Sequence, residues 1–268
     1  MPTNPPLVSV MVICYNQERY IREALTSALE QDYENLEVVV ADDASTDNTR
    51  QIIRELGKDY PEKLKMYFNP VNLGITANSN IGLNHCRGEF VAFMGGDDVL
   101  LPGKISRQVE WFSQDGSRVL CGHDVEWIDQ DGALLGIRSS ELVPIGSGSG
   151  ASGFITHGTP YAATSVMVRR SRIPEYGFHP ALPVVSDWML WIEVISTDGS
   201  YGYIPGIWAR YRRHKDNVTA KLNWKVARDV LLTAALSLWH FRGRYLVNWA
   251  HYFFVRPIAK RFRNKSHV

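Results

Sequence analysis

Residues 8–16 read VSVMVICYN, and this stretch decides the fold. The run from Val8 to Cys14 is apolar and rich in β-branched residues, which is typical of a strand buried on both faces. Asn16 stands where its side chain could cap a following helix. The apolar positions of that next segment share one helical face: Ile21, Ala24, Leu25, Ala28 and Leu29. A buried strand followed by an amphipathic helix is the repeating unit of a parallel α/β sheet.

The same alternation continues through about residue 115. A second buried strand is predicted at Leu36–Ala41, and further strands at Leu64–Phe68 and Phe90–Met94. Helices are predicted at Thr46–Leu56, at Ala77–His85 and from Pro102 onward. The pattern predicts an α/β fold with a doubly wound, mostly parallel sheet flanked by helices. Ligands on such sheets bind at the carboxyl ends of the strands.

The pattern changes after residue 115. A hairpin is predicted around Asp129–Gly132, a strand at Thr164–Val168 and a helix at Trp188–Ile195. Residues 146–153 read GSGSGASG, which predicts a flexible loop with little capacity to bury anything. Its position in the sequence suggests that residues 143–160 form a mobile flap beside a ligand site.

Charge is distributed unevenly along the 268 residues. The net charge is +1, yet residues 221–268 hold ten Lys or Arg and one acid, which leaves −8 in residues 1–220. Such a split predicts an acidic body and a tail attracted to a polyanion. Three widely spaced cysteines predict reduced thiols, and the polar start of the chain predicts no secretory signal, so we expect a cytoplasmic location.

Acidic residues follow the predicted strands. Asp42 and Asp43 come after the second strand, Asp97 and Asp98 come after Gly95-Gly96, and Asp187 precedes a helix. Adjacent carboxylates raise each other's pKa, and a hard cation such as Mg²⁺ or Mn²⁺ relieves that cost. The glycines would let the backbone approach a ligand closely. The alternative is that these acids are helix caps and turn formers.

Five segments in this order resemble the family 2 glycosyltransferases of the GT-A fold, over about residues 7–220. They are VSVMVICYN (8–16), VVVADDASTDNT (38–49), NLGITANSNIGLNHCRGEFVAFMGGDDVLLPGKI (72–105), SDWMLWIEV (186–194) and YRRHKDNVT (211–219). The resemblance implies an inverting enzyme that uses a nucleotide-diphosphate sugar, with UDP-sugar favoured and dTDP-sugar as the other candidate.

The resemblance also implies roles for single residues. Tyr15 would lie against the nucleobase, Asp43 would accept a hydrogen bond from it, and Asp97 would hold the ribose or share the metal. Asp98 would coordinate the metal, with His214 closing over the metal or the diphosphate. Asp187 would be the general base that takes the proton of the acceptor hydroxyl. Two further positions of the matched segments, Asn16 and Asn80, would complete the nucleotide-sugar site.

Two departures from the family pattern concern the acids. The usual Asp-x-Asp-Asp is Gly95-Gly96-Asp97-Asp98 here, so one carboxylate is absent. Ser186 stands where an acid often precedes the base. For Asp187 a helix cap is the alternative role, and for a lone histidine such as His214 the alternative is a structural one.

Residues 221–268 interleave aromatic and basic residues. Such helices suit the headgroup region of an anionic bilayer, with Arg256, Lys260 and Arg263 as electrostatic candidates. The alternative is that they pack on the catalytic domain. Nucleic acid is a third partner for a basic aromatic surface, but nothing in residues 1–220 supports it.

Together these observations predict a metal-dependent glycosyltransferase. Residues 1–220 would form the GT-A catalytic domain, with a nucleotide-binding part over about 7–115 and an acceptor part over about 116–220. Residues 221–268 would form a helical tail on the inner membrane face, and the acceptor would be a saccharide, lipid-linked, in surface polysaccharide assembly. The rival function is a non-catalytic sugar-nucleotide-binding or scaffold protein. A dehydrogenase is excluded because GxGxxG does not follow the first strand.

Overall fold

The computed structural model of the chain describes residues 5–138, 148–159, 161–196, 198–215, 217 and 224–255. The strands are β1 Val8–Cys14, β2 Leu36–Asp42, β3 Leu64–Phe68, β4 Phe90–Gly95, β5 Val99–Leu100, β6 Arg118–Ile128, β7 Leu134–Arg138, β8 Gly148–Ser149, β9 Met167–Arg169 and β10 Ser200–Arg212. The α-helices are α1 Ile21–Leu29, α2 Thr49–Asp59, α3 Ile75–His85, α4 Lys104–Ser113, α5 Ser152–His157, α6 Ser186–Ile195, α7 Trp224–His240 and α8 Leu246–Ala250.

These strands form one mixed sheet. Its order is β3-β2-β1-β4-β9-β6-β10-β5, with β7 paired to β6 and β8 to β10. Strand β1 runs parallel to both β2 and β4, and β3 runs parallel to β2. Strand β9 runs antiparallel between β4 and β6, and β10 runs parallel to β6. The predicted α/β fold with a mostly parallel sheet is confirmed.

The core lies on both faces of this sheet. Alternate residues of β1 face opposite sides, so Val10 and Val12 join the apolar cluster under α1 and α4, while Met11 joins the other. That second cluster contains Trp191 of α6 and also Trp249 of α8. The C-terminal helices therefore share a core with the sheet, as the packing alternative for the tail expects.

Two predicted helix starts are wrong. Helix α1 is capped at Tyr20 without a side-chain hydrogen bond, and Asn16 instead adopts a left-handed backbone with φ 52°. Pro102 does not occupy the first turn of α4, because the helix begins at Lys104 after Gly103 turns the chain with φ 89°. Asn and Gly tolerate this left-handed region better than other residues, which is why these two positions form turns.

The prediction of a flexible loop over 146–153 is wrong for residues 148–153. Gly148 and Ser149 pair with β10, and α5 follows directly. Ala151, Phe154 and Ile155 are fully buried, so small residues here allow close packing instead of mobility. The described part of the proposed 143–160 flap is therefore packed structure, while residues 143–147 and 160 lie outside the described residues.

All three cysteines are unpaired and buried. Burial raises the pKa of the Cys86 and Cys121 thiols to about 12. Within the part of the chain that the structure describes, none of the helices combines the length and apolar character needed to cross a bilayer. Arg256, Lys260 and Arg263, the electrostatic candidates of the tail, lie outside the described residues.

Candidate active site

Most of the residues predicted to bind the donor lie at one edge of the sheet. Because β1, β2 and β4 are parallel neighbours, their carboxyl ends lie side by side. Tyr15 and Asn16 follow β1, Asp43 follows β2, and Asp97 follows β4. Tyr15 is 47% exposed, so the face of its ring is available to a flat ligand.

Asp43 organises the loop that leads into α3. Its buried carboxylate accepts hydrogen bonds from the backbone N–H groups of Leu73 and Gly74, both at 2.8 Å, and from Asn69 Nδ2 at 2.9 Å. A carboxylate has about four acceptor positions, so one remains for a further donor such as a base N–H. The neighbouring Asp42 is a turn former, because it accepts hydrogen bonds from Ser45 and Arg50.

Asn16 joins the loops that follow β1 and β2. Its backbone N–H donates to Ser45 Oγ at 2.8 Å, and its side-chain Oδ1 accepts from the Thr46 backbone at 2.8 Å. These bonds explain the left-handed backbone of Asn16, since the turn brings both groups toward residues 45–46. Asn16 thus holds together the two loops next to Tyr15.

Asp97 and Asp98 form hydrogen bonds with the last residue of β10 and with residues that follow it. His214 Nε2 lies 2.8 Å from Asp97 Oδ2, and Asn217 Nδ2 donates to the same oxygen at 3.2 Å. Asp98 Oδ1 accepts the backbone N–H of Arg212 at 3.0 Å. The predicted metal residues Asp98 and His214 are therefore brought to the same strand ends as Asp97.

Arg212 is a site residue that sequence reasoning missed. Its side chain is buried, with Nε donating to the Asp97 carbonyl at 2.8 Å and the guanidinium reaching the Glu23 carboxylate at 2.7 Å. It also lies over the Tyr20 ring, 4.8 Å from its centre. Arg212 therefore fixes the backbone of residues 95–98, called the acidic turn here, against α1. Its positive charge lies near the carboxylates of Glu23 and Asp98.

The acidic turn has the electrostatics of a cation site. Burial raises the pKa of the Asp98 carboxyl, and the adjacent charge of Asp97 raises it further. Carboxylate oxygens and an imidazole nitrogen are ligands that Mg²⁺ and Mn²⁺ accept. Among the described residues, no three or more His, Cys, Asp or Glu side chains converge to hold a metal on their own. Mg²⁺ is often bound by one or two carboxylates together with phosphate oxygens of a substrate, and Asp97 and Asp98 are the carboxylates available here.

The two glycines of this turn serve packing. A Cβ on Gly96 would lie 2.3 Å from Gln17 Oε1 and 2.9 Å from Ile21 Cδ1, so Gly96 lets β4 pass close to α1. A Cβ on Gly95 would lie 2.6 Å from Asp97 Oδ1. Gly95 stands where the family pattern has an acid, and its lack of a side chain leaves room for the Asp97 carboxylate.

Asp187 lies in the first turn of α6, where its Oδ1 accepts the backbone N–H of Trp188 at 2.8 Å. The helix cap is Val185, so the alternative role of Asp187 as the N-cap is wrong. The preceding Ser186 is buried, and its hydroxyl lies 2.9 Å from that of Thr76 in α3. Helix α3 therefore begins at the Asp43 loop and contacts the residue next to Asp187.

Asn80 lies on α3 and pairs with the backbone of Phe178. Its Nδ2 donates to the Phe178 carbonyl at 2.8 Å, and its Oδ1 accepts the Phe178 N–H at 2.7 Å. This pair uses both ends of the amide, so in the structure Asn80 ties α3 to the segment before α6. Its role in nucleotide-sugar binding stays a prediction.

The chain is similar to known proteins in sequence and in fold. Residues 9–159 match the sequence profile of Glycosyl transferase family 2. An uncharacterized protein of Mycobacterium tuberculosis is 35% identical over 238 residues, which is 88% of this chain and 64% of that relative. The chain thus spans less than two thirds of the length of this relative.

Two solved structures share the fold. Staphylococcus aureus TarS 1–349 in complex with UDP-GlcNAc has a TM-score of 0.68 and 22% identity, covering 87% of this chain and 66% of that chain. The mannosyltransferase PcManGT from Pyrobaculum calidifontis, in complex with GDP-Man and Mn²⁺, has a TM-score of 0.67 and 22% identity, covering 88% and 65%. At this identity the similarity establishes the fold.

Proposed function

The chain belongs to glycosyl transferase family 2, and we propose that it transfers a sugar from a nucleotide-diphosphate sugar to an acceptor hydroxyl. The observation that carries the proposal is the 2.8 Å contact between His214 and Asp97, because it joins residues 117 positions apart at the edge where donors bind. The UDP-GlcNAc and GDP-Man in the two solved structures support a nucleotide-sugar donor.

In this proposal the donor lies across the ends of β1, β2 and β4. Tyr15 stacks on the base, Asp43 accepts its N–H, and Asn16, Asn80 and Asp97 contact the rest of the nucleotide sugar. The remaining acceptor position of Asp43 supports a base with a ring N–H, which uracil, thymine and guanine have and adenine lacks. Among these we propose UDP-sugar as the favoured donor and dTDP-sugar as the second, as the family resemblance implies.

Asp98 and His214 would hold Mg²⁺ or Mn²⁺ against the diphosphate. Bound there, the cation would stabilise the negative charge that grows on the leaving nucleotide. The raised pKa of Asp98 supports a cation, and so does the Mn²⁺ in the mannosyltransferase structure.

Asp187 is the proposed general base. It takes the proton of the acceptor hydroxyl while that oxygen bonds to the anomeric carbon and the bond from this carbon to the diphosphate breaks. One base and in-line attack invert the configuration at the anomeric carbon. For the acceptor we propose a saccharide, lipid-linked and used in surface polysaccharide assembly, which the basic aromatic tail supports.

A thermal-shift panel tests the proposal. The full chain is heated with UDP, dTDP, GDP and ADP, each with Mn²⁺ or with EDTA, because a ligand that binds only the folded state raises the midpoint by mass action. We expect the largest shift with UDP and Mn²⁺, and release of nucleotide from the matching sugar donor. Equal shifts for all four bases would contradict the role of Asp43. Binding without turnover toward any acceptor would favour the non-catalytic alternative that the absent acid at Gly95 suggests.

A further inference from the structure

The C-terminal helices are apolar on two sides. Their inner side is buried in the core through Ala234, Tyr245 and Trp249. Two buried polar groups on that side are also paired, since Trp249 Nε1 donates to Ser237 Oγ at 2.7 Å and the Tyr245 hydroxyl donates to the Ser196 carbonyl at 3.1 Å. The helices are therefore fixed to the sheet domain.

The opposite side presents large apolar residues to solvent. On α7 they recur every seven or eight residues, which places them on one helical face. The set, called the outer face here, is Trp224, Leu231, Trp239, Leu246, Val247 and Phe254. Trp239 is 86% exposed and Val247 is 80% exposed. Large exposed apolar residues that share one face, as Trp224, Leu231 and Trp239 do on α7, are typical of an interaction site.

The charges around the outer face are positive. Residues 224–255 carry four basic side chains and one acid, the buried Asp229. Arg228 forms an ion pair with Asp229 at 3.0 Å, so Lys225, Arg242 and Arg244 supply the net positive charge. The sequence from 256 to 268 adds five more basic residues and no acid. A shallow, open depression at the end of α7 is lined by Leu238, Trp239, His240 and Arg242.

We infer that the outer face is the surface by which the protein binds an anionic lipid bilayer. Trp and Phe favour the headgroup boundary, and each nearby Lys or Arg adds on the order of 1 kcal/mol at an anionic surface. A second copy of the chain is a poorer occupant, because pairing two outer faces would bring like charges together. This inference rests on the proposed function, because bilayer binding would bring the enzyme to a lipid-linked acceptor in the same bilayer.

Co-sedimentation of the full chain with vesicles tests this inference. We expect binding to phosphatidylcholine vesicles that contain phosphatidylglycerol, weaker binding to phosphatidylcholine alone, and loss with added salt. The double variant Trp239→Glu/Val247→Glu should bind at least about tenfold more weakly, since two apolar contacts are lost and two acids gained. Both residues are exposed, so its melting temperature should match the wild type.

Leu134→Glu is the matched control, because Leu134 is 61% exposed on the β6–β7 hairpin and lies outside the outer face. It should bind vesicles as the wild type does. Vesicle binding that survives Trp239→Glu/Val247→Glu would overturn the inference, and so would self-association in sedimentation velocity that this variant abolishes. Nucleotide-induced thermal shifts are measured separately without lipid, so failure of the proposed function and failure of bilayer binding are distinguishable.

Discussion

The carboxylate of Asp229 accepts the backbone N–H of Val184 at 2.8 Å, three residues before Asp187. It also accepts the N–H of Val185, the cap of α6, at 3.2 Å. Asp229 belongs to α7 and is fully buried. A helix from the tail therefore completes the turn that presents the proposed base, and the tail is part of the site's framework.

Asp229→Ala should therefore weaken both the fold and the reaction. Two partly buried N–H groups would lose their acceptor, which costs about 1–3 kcal/mol of the free energy of unfolding. In a nucleotide-release assay kcat should fall while the KM for donor changes little. Arg228→Gln is the control, because it removes the ionic partner of the other carboxylate oxygen and leaves both backbone bonds. Wild-type stability of Asp229→Ala in urea would contradict this role.

Asp187→Asn keeps the shape of the side chain and removes its capacity to take a proton. Turnover should fall by about 10²–10⁴-fold, and the thermal shift caused by nucleotide and Mn²⁺ should persist. Asp198→Asn serves as control, because Asp198 is an exposed carboxylate shortly after the end of the same helix. If Asp187→Asn turns over at the wild-type rate, another group is the base.

Arg212→Met should destabilise the protein by on the order of 3 kcal/mol. The substitution removes several charged hydrogen bonds and leaves the acidic turn without the positive charge of the guanidinium group. Arg213→Met is the control, since Arg213 is the adjacent residue but its side chain is exposed and lies over the Trp127 ring. It should cost less than about 1 kcal/mol. Urea midpoints measure both, and equal losses would show that burial of Arg212 is unimportant.

Gly95→Ala should separate ligand binding from stability. The added Cβ collides with the end of the Asp97 side chain, which can rotate, so the free energy of unfolding should change little. Rotation would draw Asp97 away from His214, and the thermal shift with UDP and Mn²⁺ should shrink. Gly116→Ala is the control because no atom lies within 4 Å of its Cβ position. An unchanged shift in Gly95→Ala would count against Asp97 as a donor contact.

Glu193 gives the stability a pH dependence. Burial raises its pKa from 4.5 to about 7, with the Tyr176 hydroxyl donating to its Oε1. Between these values the folded state holds a proton that the unfolded chain has lost, so the free energy of unfolding falls as pH rises. Glu193→Gln cannot titrate, and its stability relative to wild type should rise by on the order of 3 kcal/mol between about pH 5 and about pH 8. A pH-independent difference in urea midpoints would contradict this.

The sequence predicted the strands that are continuous apolar runs. Strand β1 begins and ends where predicted, because burial on both faces leaves an unbroken apolar signal. Strand β3 also begins and ends where predicted, although Leu64 is its one buried residue. Strand β10 was missed, since Pro205 and Gly206 interrupt it at a shift in register with β6. Its neighbour β6 buries polar residues such as His123 in its interior, so the apolar pattern does not reveal its full length.

The site was predictable only in part. The acids at strand ends indicated a site, because adjacent carboxylates at the end of a buried strand need a partner of opposite charge. The family resemblance added Tyr15 and His214. Arg212 carries no comparable signal, since Arg213 beside it is identical in type and only the fold buries one of them. In the tail both sides of the helices are apolar, so periodicity alone could not tell which side packs on the core.

The burial of the three native thiols has a practical consequence for labelling. The thiolate is the form that reacts with maleimides and iodoacetamide, and burial raises the pKa of Cys14, Cys86 and Cys121 above the ordinary value. A cysteine placed at an exposed position, as in Val247→Cys, would therefore be modified selectively on the otherwise native chain. A nitroxide attached there would report immersion depth in a bilayer through its accessibility to oxygen and to water-soluble relaxation agents.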